Sequence, residues 1–164
     1  MYKPRDLYDH LARALPVLQR DPSKFTMLVK AGGIRSRVTP ALAFEYRYTL
    51  QLMLLDYAGH PDGVMLPLLI WLRRHQPDLV ENSGALADVV RFDVDFLTAT
   101  TVDMAIELDL TESVRTEPRA EPEGALNVIH IQEPPHPAVL PVTEQWSLWL
   151  KDQLLAEWQR DPRR

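Results

Sequence analysis

The 164-residue sequence reads as α+β: an antiparallel sheet with two helices packed on one face, followed by a Pro-rich extended arm and a C-terminal β-hairpin. Three observations carry that reading. Residues 44–57 alternate apolar and polar side chains with period two and are rich in aromatics, which marks a long strand. Segments 4–15 and 64–75 repeat their apolar residues at helical spacing instead. Six of the 14 prolines crowd between Glu117 and Pro141, where proline's fixed φ and missing donor exclude a helix or a central strand.

In chain order, Leu7, Leu11, Ala14 and Leu15 share one face of a first helix; Pro4 sits where its missing N–H costs nothing, and Pro16 ends the run. Phe25, Met27 and Val29 alternate as a strand. Gly32-Gly33 offers a turn into a second strand at Ile34–Val38. The long strand follows, with Phe44, Tyr46, Tyr48, Leu50, Leu52 and Leu54 on one face and Glu45, Arg47, Thr49 and Gln51 on the other. After the loop at 59–63, with Asp62 as its expected N-cap, a helix over Val64–His75 carries Met65, Leu68, Leu69, Trp71 and Leu72. Pro67 falls near its first turn; Arg73, Arg74 and His75 suit the dipole of its last turn, and Pro77 stops it. Phe92, Val94 and Phe96, then Val102, Met104, Ile106 and Leu108, predict a hairpin turning at Thr98–Thr101.

This organises the chain as a core over 1–115, an arm over 116–142 and a terminal hairpin over 143–164. Within the arm, 116–125 reads as linker, 126–131 as a short strand and 133–142 as polyproline-like. In the last segment Trp146, Leu148 and Leu150 alternate, and a helix would put Ser147, Lys151 and Glu157 in its own apolar stripe. A hairpin with Trp146 on one face and Trp149 on the other is unstable alone, so it is expected to dock on the core or on a neighbouring subunit.

Composition narrows the function. With no cysteine, disulfides, thiolate zinc sites and cysteine nucleophiles are all removed. A net charge of −5 argues against binding nucleic acid by bulk charge, and no long uncharged apolar run predicts a membrane span. A soluble protein made in a reducing compartment is expected. Charge is split along the chain: residues 1–60 carry nine basic against five acidic residues, and 61–164 carry nine against 18. Such asymmetry ordinarily reflects differently solvated faces, and it also suits head-to-tail stacking of copies.

Signals of catalysis are weak. The five histidines, His10, His60, His75, His130 and His136, form no paired-ligand motif, and no GxSxG, Walker or GxGxxG pattern occurs. No catalytic residue, cofactor or metal site is expected. The nearest alternative is a small hydrolase built on Asp56, His60 and Asp62 around one loop. Asp93, Asp95, Asp103, Glu107 and Asp109 share the polar face of one hairpin, an ordinary solvated surface or an acidic wall along a channel through which DNA passes without sticking; general acid–base work by such carboxylates would need unequal environments to separate their pKa values, and nothing in the sequence encloses them. Arg73, Arg74, Trp146, Trp149 and Trp158 are the candidate interaction residues.

The strings Phe44-Glu45-Tyr46-Arg47-Tyr48-Thr49-Leu50, Pro67 through Leu79, Arg91 through Leu97, Thr101-Val102-Asp103, Ile106-Glu107-Leu108 and Leu110-Thr111-Glu112 follow one another in an order that resembles the R-type tail completion proteins of temperate contractile-tailed bacteriophages and related prophages. The ending Trp146 through Asp152 and Ala156-Glu157-Trp158 is similar too. The resemblance implies a non-enzymatic terminator at the head-proximal end of the tail, working as a homo-oligomeric, six-fold ring. It implies contacts with tail tube and sheath proteins and with neck and head-connector proteins, DNA only in passage through the channel, and no membrane. Its place would be the virion tail, after assembly in the bacterial host cytoplasm. A neck or head-completion component of the same particle is the alternative.

Overall fold

The computed structural model describes residues 1–37, 42–81, 88–134 and 145–159. Helices α1 (Lys3–Ala14) and α2 (Pro16–Arg20) and a 3-10 turn (Pro22–Lys24) lead into strands β1 (Phe25–Arg37) and β2 (Ala43–Tyr57). Helices α3 (Asp62–His75) and α4 (Pro77–Glu81) follow, then strands β3 (Arg91–Phe96), β4 (Val102–Pro118), β5 (Leu126–His130), β6 (Gln145–Leu150) and β7 (Gln153–Gln159).

The period-two segment at 44–57 becomes β2 and pairs antiparallel with β4, so that Tyr48, Leu50, Leu52 and Leu54 stand opposite Leu110, Leu108, Ile106 and Met104. All eight are buried. Cross-strand pairs of large apolar side chains on one face are what fix register, since a slip of one residue would turn the whole row to solvent. The main sheet runs β1-β2-β4-β3, every neighbour antiparallel. At 17 residues, β4 outreaches β3. Its edge away from β2 therefore carries β3 opposite 102–107 and β5 opposite 114–118.

Helix α1 buries Leu7, Leu11 and Ala14, and α3 buries Val64, Leu68, Trp71 and Leu72, in one cluster with the inner row of the sheet. The β6–β7 hairpin packs on α1 and α3, and its Ala156 and Trp158 join the same cluster. The α+β architecture, the strands at 44–57 and 126–130 and the terminal hairpin are thus as the sequence indicates, and the hairpin docks on its own chain's core.

Four local readings change. Gly32-Gly33 is not a turn: β1 runs unbroken through it, with a bulge between Val29 and Ala31 and with Gly32 opposite Tyr48. The long-range ladder with β2 overrides the local turn preference of the glycine pair. Pro16 ends α1 as expected, and it also opens the short α2. Helix α3 starts at Asp62, so this residue lies in the first turn, where its charge favours the dipole, and it is not a side-chain N-cap. Pro67 is the sixth residue of α3, past the first turn. Residues 116–118, assigned to the linker, continue β4. The polyproline-like reading of 135–142 lies outside the described residues.

A bulge between Leu54 and Tyr57, with Asp56 at φ 49°, turns the end of β2 toward the α3 loop. Gly59 is needed there, because a Cβ would overlap the Oη and Cζ of buried Tyr57. A Cβ on Gly33 would meet nothing within 4 Å. In thermal and urea unfolding, Gly59→Ala is expected to lose about 1–3 kcal/mol by overpacking, while Gly33→Ala stays within about 1 kcal/mol of the parent chain. Equal effects of the two substitutions would contradict this packing.

Candidate interaction surfaces

Two polar residues interrupt the inner row of β4, Glu112 and, near its end, Thr116. Glu112, 4% exposed, follows Leu108 and Leu110 and precedes Val114 on the buried face. Its carboxylate accepts the backbone N–H of Tyr2 at 2.6 Å and of Lys3 at 3.1 Å and the Tyr48 hydroxyl at 2.5 Å, and His130 Nδ1 of β5 lies 3.2 Å from it. A buried carboxylate against the start of α1 is favoured by the helix dipole and by charge-assisted hydrogen bonds. Burial, with Glu112 alongside, pushes the Tyr48 hydroxyl well above the usual phenol range, so it stays a donor.

Beside it, the buried Lys3 ammonium donates to Gln76 Oε1 at 2.6 Å and to Glu133 at 2.7 Å. Burial holds the Glu133 carboxyl above its ordinary range, against the pull of Lys3. Gln76, fully buried at the end of α3, accepts the Thr111 N–H at 3.1 Å and donates to Thr111 Oγ1 at 2.9 Å. It thereby fills the stretch of the β4 edge between β3 and β5 with side-chain hydrogen bonds in place of strand pairing. Tyr2, Lys3, Arg74, Glu112, His130 and Glu133 are among the residues lining a cavity of about 230 Å³ at this junction. Of these only Arg74 was a candidate from sequence. Glu112 had a signal, a charge on the inward register of an apolar strand.

The five carboxylates named from sequence do share the outer face of the β3–β4 hairpin, because Asp93 and Asp95 stand opposite Ala105 and Asp103. Their surroundings differ. Glu107 pairs with Lys30 at 2.7 Å, and Asp109 pairs with Arg91 at 2.8 Å and accepts the Thr49 hydroxyl at 2.6 Å. Those donors hold both carboxyls below the usual range. Asp103 accepts the Asp56 N–H at 2.8 Å. Among the described residues neither Asp93 nor Asp95 is ion-paired, so the negative charge concentrates at the β3 margin.

That margin is apolar on its other side. Phe92 and Phe96 lie opposite Ile106 and Val102 on the inner face, yet they are 59% and 79% exposed. Of the three inward side chains of β3, Val94 alone packs against the core cluster. At the terminal hairpin, Trp158 is buried and stacks on Trp146 with ring centroids 6.1 Å apart, whereas Trp149 is 60% exposed beside exposed Leu154. Arg73 is exposed on α3.

The loop proposed for hydrolysis does not gather its three side chains. Asp56 faces Lys24 at 3.7 Å, while His60 Nδ1 accepts the Asp62 N–H at 3.2 Å, and all three residues are exposed. No group of three metal-ligating side chains occurs among the described residues.

Two histidines are built into the helix layer. His10 donates to the Pro67 carbonyl at 3.0 Å and meets Trp158 edge to face. His75 stacks on Trp71 and lies 3.4 Å from Asp6 Oδ2, which also accepts the Trp71 indole N–H at 2.7 Å. Burial lowers each to about 4, for His75 against the attraction of Asp6. A depressed folded-state value means that the unfolded chain binds the extra proton first. Stability from these residues is therefore complete above pH about 6.5 and drains as pH falls toward about 4. Urea midpoints across that window should fall with acidification, and fall less steeply in a His10→Gln, His75→Gln double variant; parallel profiles would contradict the assignment. At fixed pH 7, Glu112→Ala should cost about 3–5 kcal/mol, because it strands a phenol and two amide donors in the interior. A loss below about 1 kcal/mol would refute its role.

The match to a family model for the P2 phage tail completion protein R (GpR) spans residues 1–135. The chain is also 35% identical over 158 residues to tail completion protein R of Escherichia phage P2, an alignment covering 96% of this chain and 99% of that protein. No solved structure matches the chain. This sheet-and-helix chain, matched along nearly its whole length, belongs to the phage tail completion protein R family and is a structural protein of tail assembly.

Proposed function

We propose that the chain caps the head-proximal end of a contractile tail as a ring of identical subunits, six if it follows a six-fold tube, and offers the surface to which the neck joins. The observation that carries this reading is the pair of unpaired sheet margins. In the described residues β1 and β3 end the main path of the sheet, and β3 leaves Phe92 and Phe96 uncovered. An open edge beside exposed aromatics is a hazard in a solitary protein and an asset in one that closes on copies of itself.

Tube and sheath proteins would meet one end of the ring, and neck or connector proteins the other. Trp149, the exposed aromatic of the terminal hairpin, and Arg73 are the anchors proposed for contact with those neighbours. The virion tail is the place of work, and the host cytoplasm the place of assembly.

A phage lysate lacking the protein tests the reading. Free heads and tails that fail to join, restored by adding the purified chain, are expected, with immunogold label at the head-proximal tail end. Label at the head vertex would favour a neck component, and normal infectious particles would overturn the assignment. Trp149→Ala should lower this complementation about tenfold or more with an unchanged melting temperature, whereas Trp158→Ala should cost about 3–5 kcal/mol of stability.

A further inference from the structure

The two ends of the sheet complement each other. Strand β1 carries Arg35 and Arg37, besides a Lys30 already bound to Glu107, and no acidic residue, whereas β3 carries Asp93 and Asp95 and only Arg91, which is already bound to Glu107 and Asp109. Pairing with β2 puts Arg35 opposite Glu45 on the outer face, the same face that holds Asp93 and Asp95. On the inner face β1 presents Ile34, 63% exposed, and β3 presents Phe96, 79% exposed. Since β1, β2, β4 and β3 alternate in direction, β1 and β3 run opposite ways.

We infer that β3 of one copy pairs antiparallel with β1 of the next, so that the sheet continues from subunit to subunit; this rests on the ring reading and names its interface. The register that sets inner face against inner face, and base against acid, places Arg35 opposite Asp95 and Ile34 opposite Phe96. Apolar side chains then meet beyond the helix layer and charges meet on the outer face, the arrangement that stabilises cross-strand pairs. Joining two β1 edges would set Arg35 and Arg37 against their own kind, and joining two β3 edges would do the same to Asp93 and Asp95. Like charges directly opposite are unfavourable, so the contact is head to tail, the kind that makes a ring when its rotation closes.

Sedimentation velocity of the full chain, alone and with isolated tails, tests the pairing by charge reversal. Asp95→Lys and Arg35→Glu should each weaken self-association about tenfold, and the double variant should recover most of the loss. Circular dichroism confirms folding of each. Because the chain has no cysteine, an Arg35→Cys, Asp95→Cys variant gives an independent reading: oxidation should yield a ladder of covalent multimers, absent from either single variant. Rings that persist in both reversals without cross-linking would overturn the β1–β3 interface and leave the ring standing. A parent chain that stays monomeric even on tails would overturn the ring itself and this interface with it.

Discussion

Coverage of the inner sheet face by a helix layer narrower than the sheet is the constraint from which the rest follows. Strands β2 and β4 present an unbroken apolar row from Tyr48 to Leu54 and from Val102 to Leu110, and burying such rows is the main favourable term in folding. Helices α1 and α3 suffice for that row. They leave Phe92 and Phe96 of β3 exposed, so the fold is stable through its centre and unfinished at its margin. An open apolar border of this kind is what the proposed ring would cover.

The second requirement is that the layers be held in one alignment. Glu112 does this by drawing the start of α1, the Tyr48 hydroxyl of β2 and His130 of β5 onto a single buried carboxylate. Lys3 extends the connection to the end of α3 through Gln76 and to the segment after β5 through Glu133. Apolar packing alone tolerates sliding between a helix and a sheet, but a directional polar cluster in low dielectric does not. The positions of the sheet margins relative to the docked terminal hairpin are set by this cluster, and a ring needs those positions repeated in every copy.

Much of this was legible in the sequence, and the misreadings share a cause. Alternation at 44–57 and 102–108 showed both central strands because one face is uniformly apolar, and Trp146 and Trp149 revealed a two-sided hairpin. The glycine pair at 32 and 33 looked like a turn because local preference is all that a short window contains, whereas the ladder to β2 is contributed by residues about 15 positions away or more. Likewise the continuation of β4 to Pro118 depends on pairing with β5, which no local pattern reports. The shared face of the carboxylates followed directly from period two. Their unequal neutralisation did not, because Lys30 reaches Glu107 from a bulge two strands away.

Hydrogen exchange of backbone amides, compared between the free chain and the chain bound at tail ends, addresses the central claim most directly. Completion of the sheet by neighbouring copies predicts slower exchange in residues 25–37 and 91–96 upon assembly, with the ladder between β2 and β4 already protected in the free chain. Unchanged exchange in both margins, with new protection confined to the terminal hairpin or absent altogether, would contradict it.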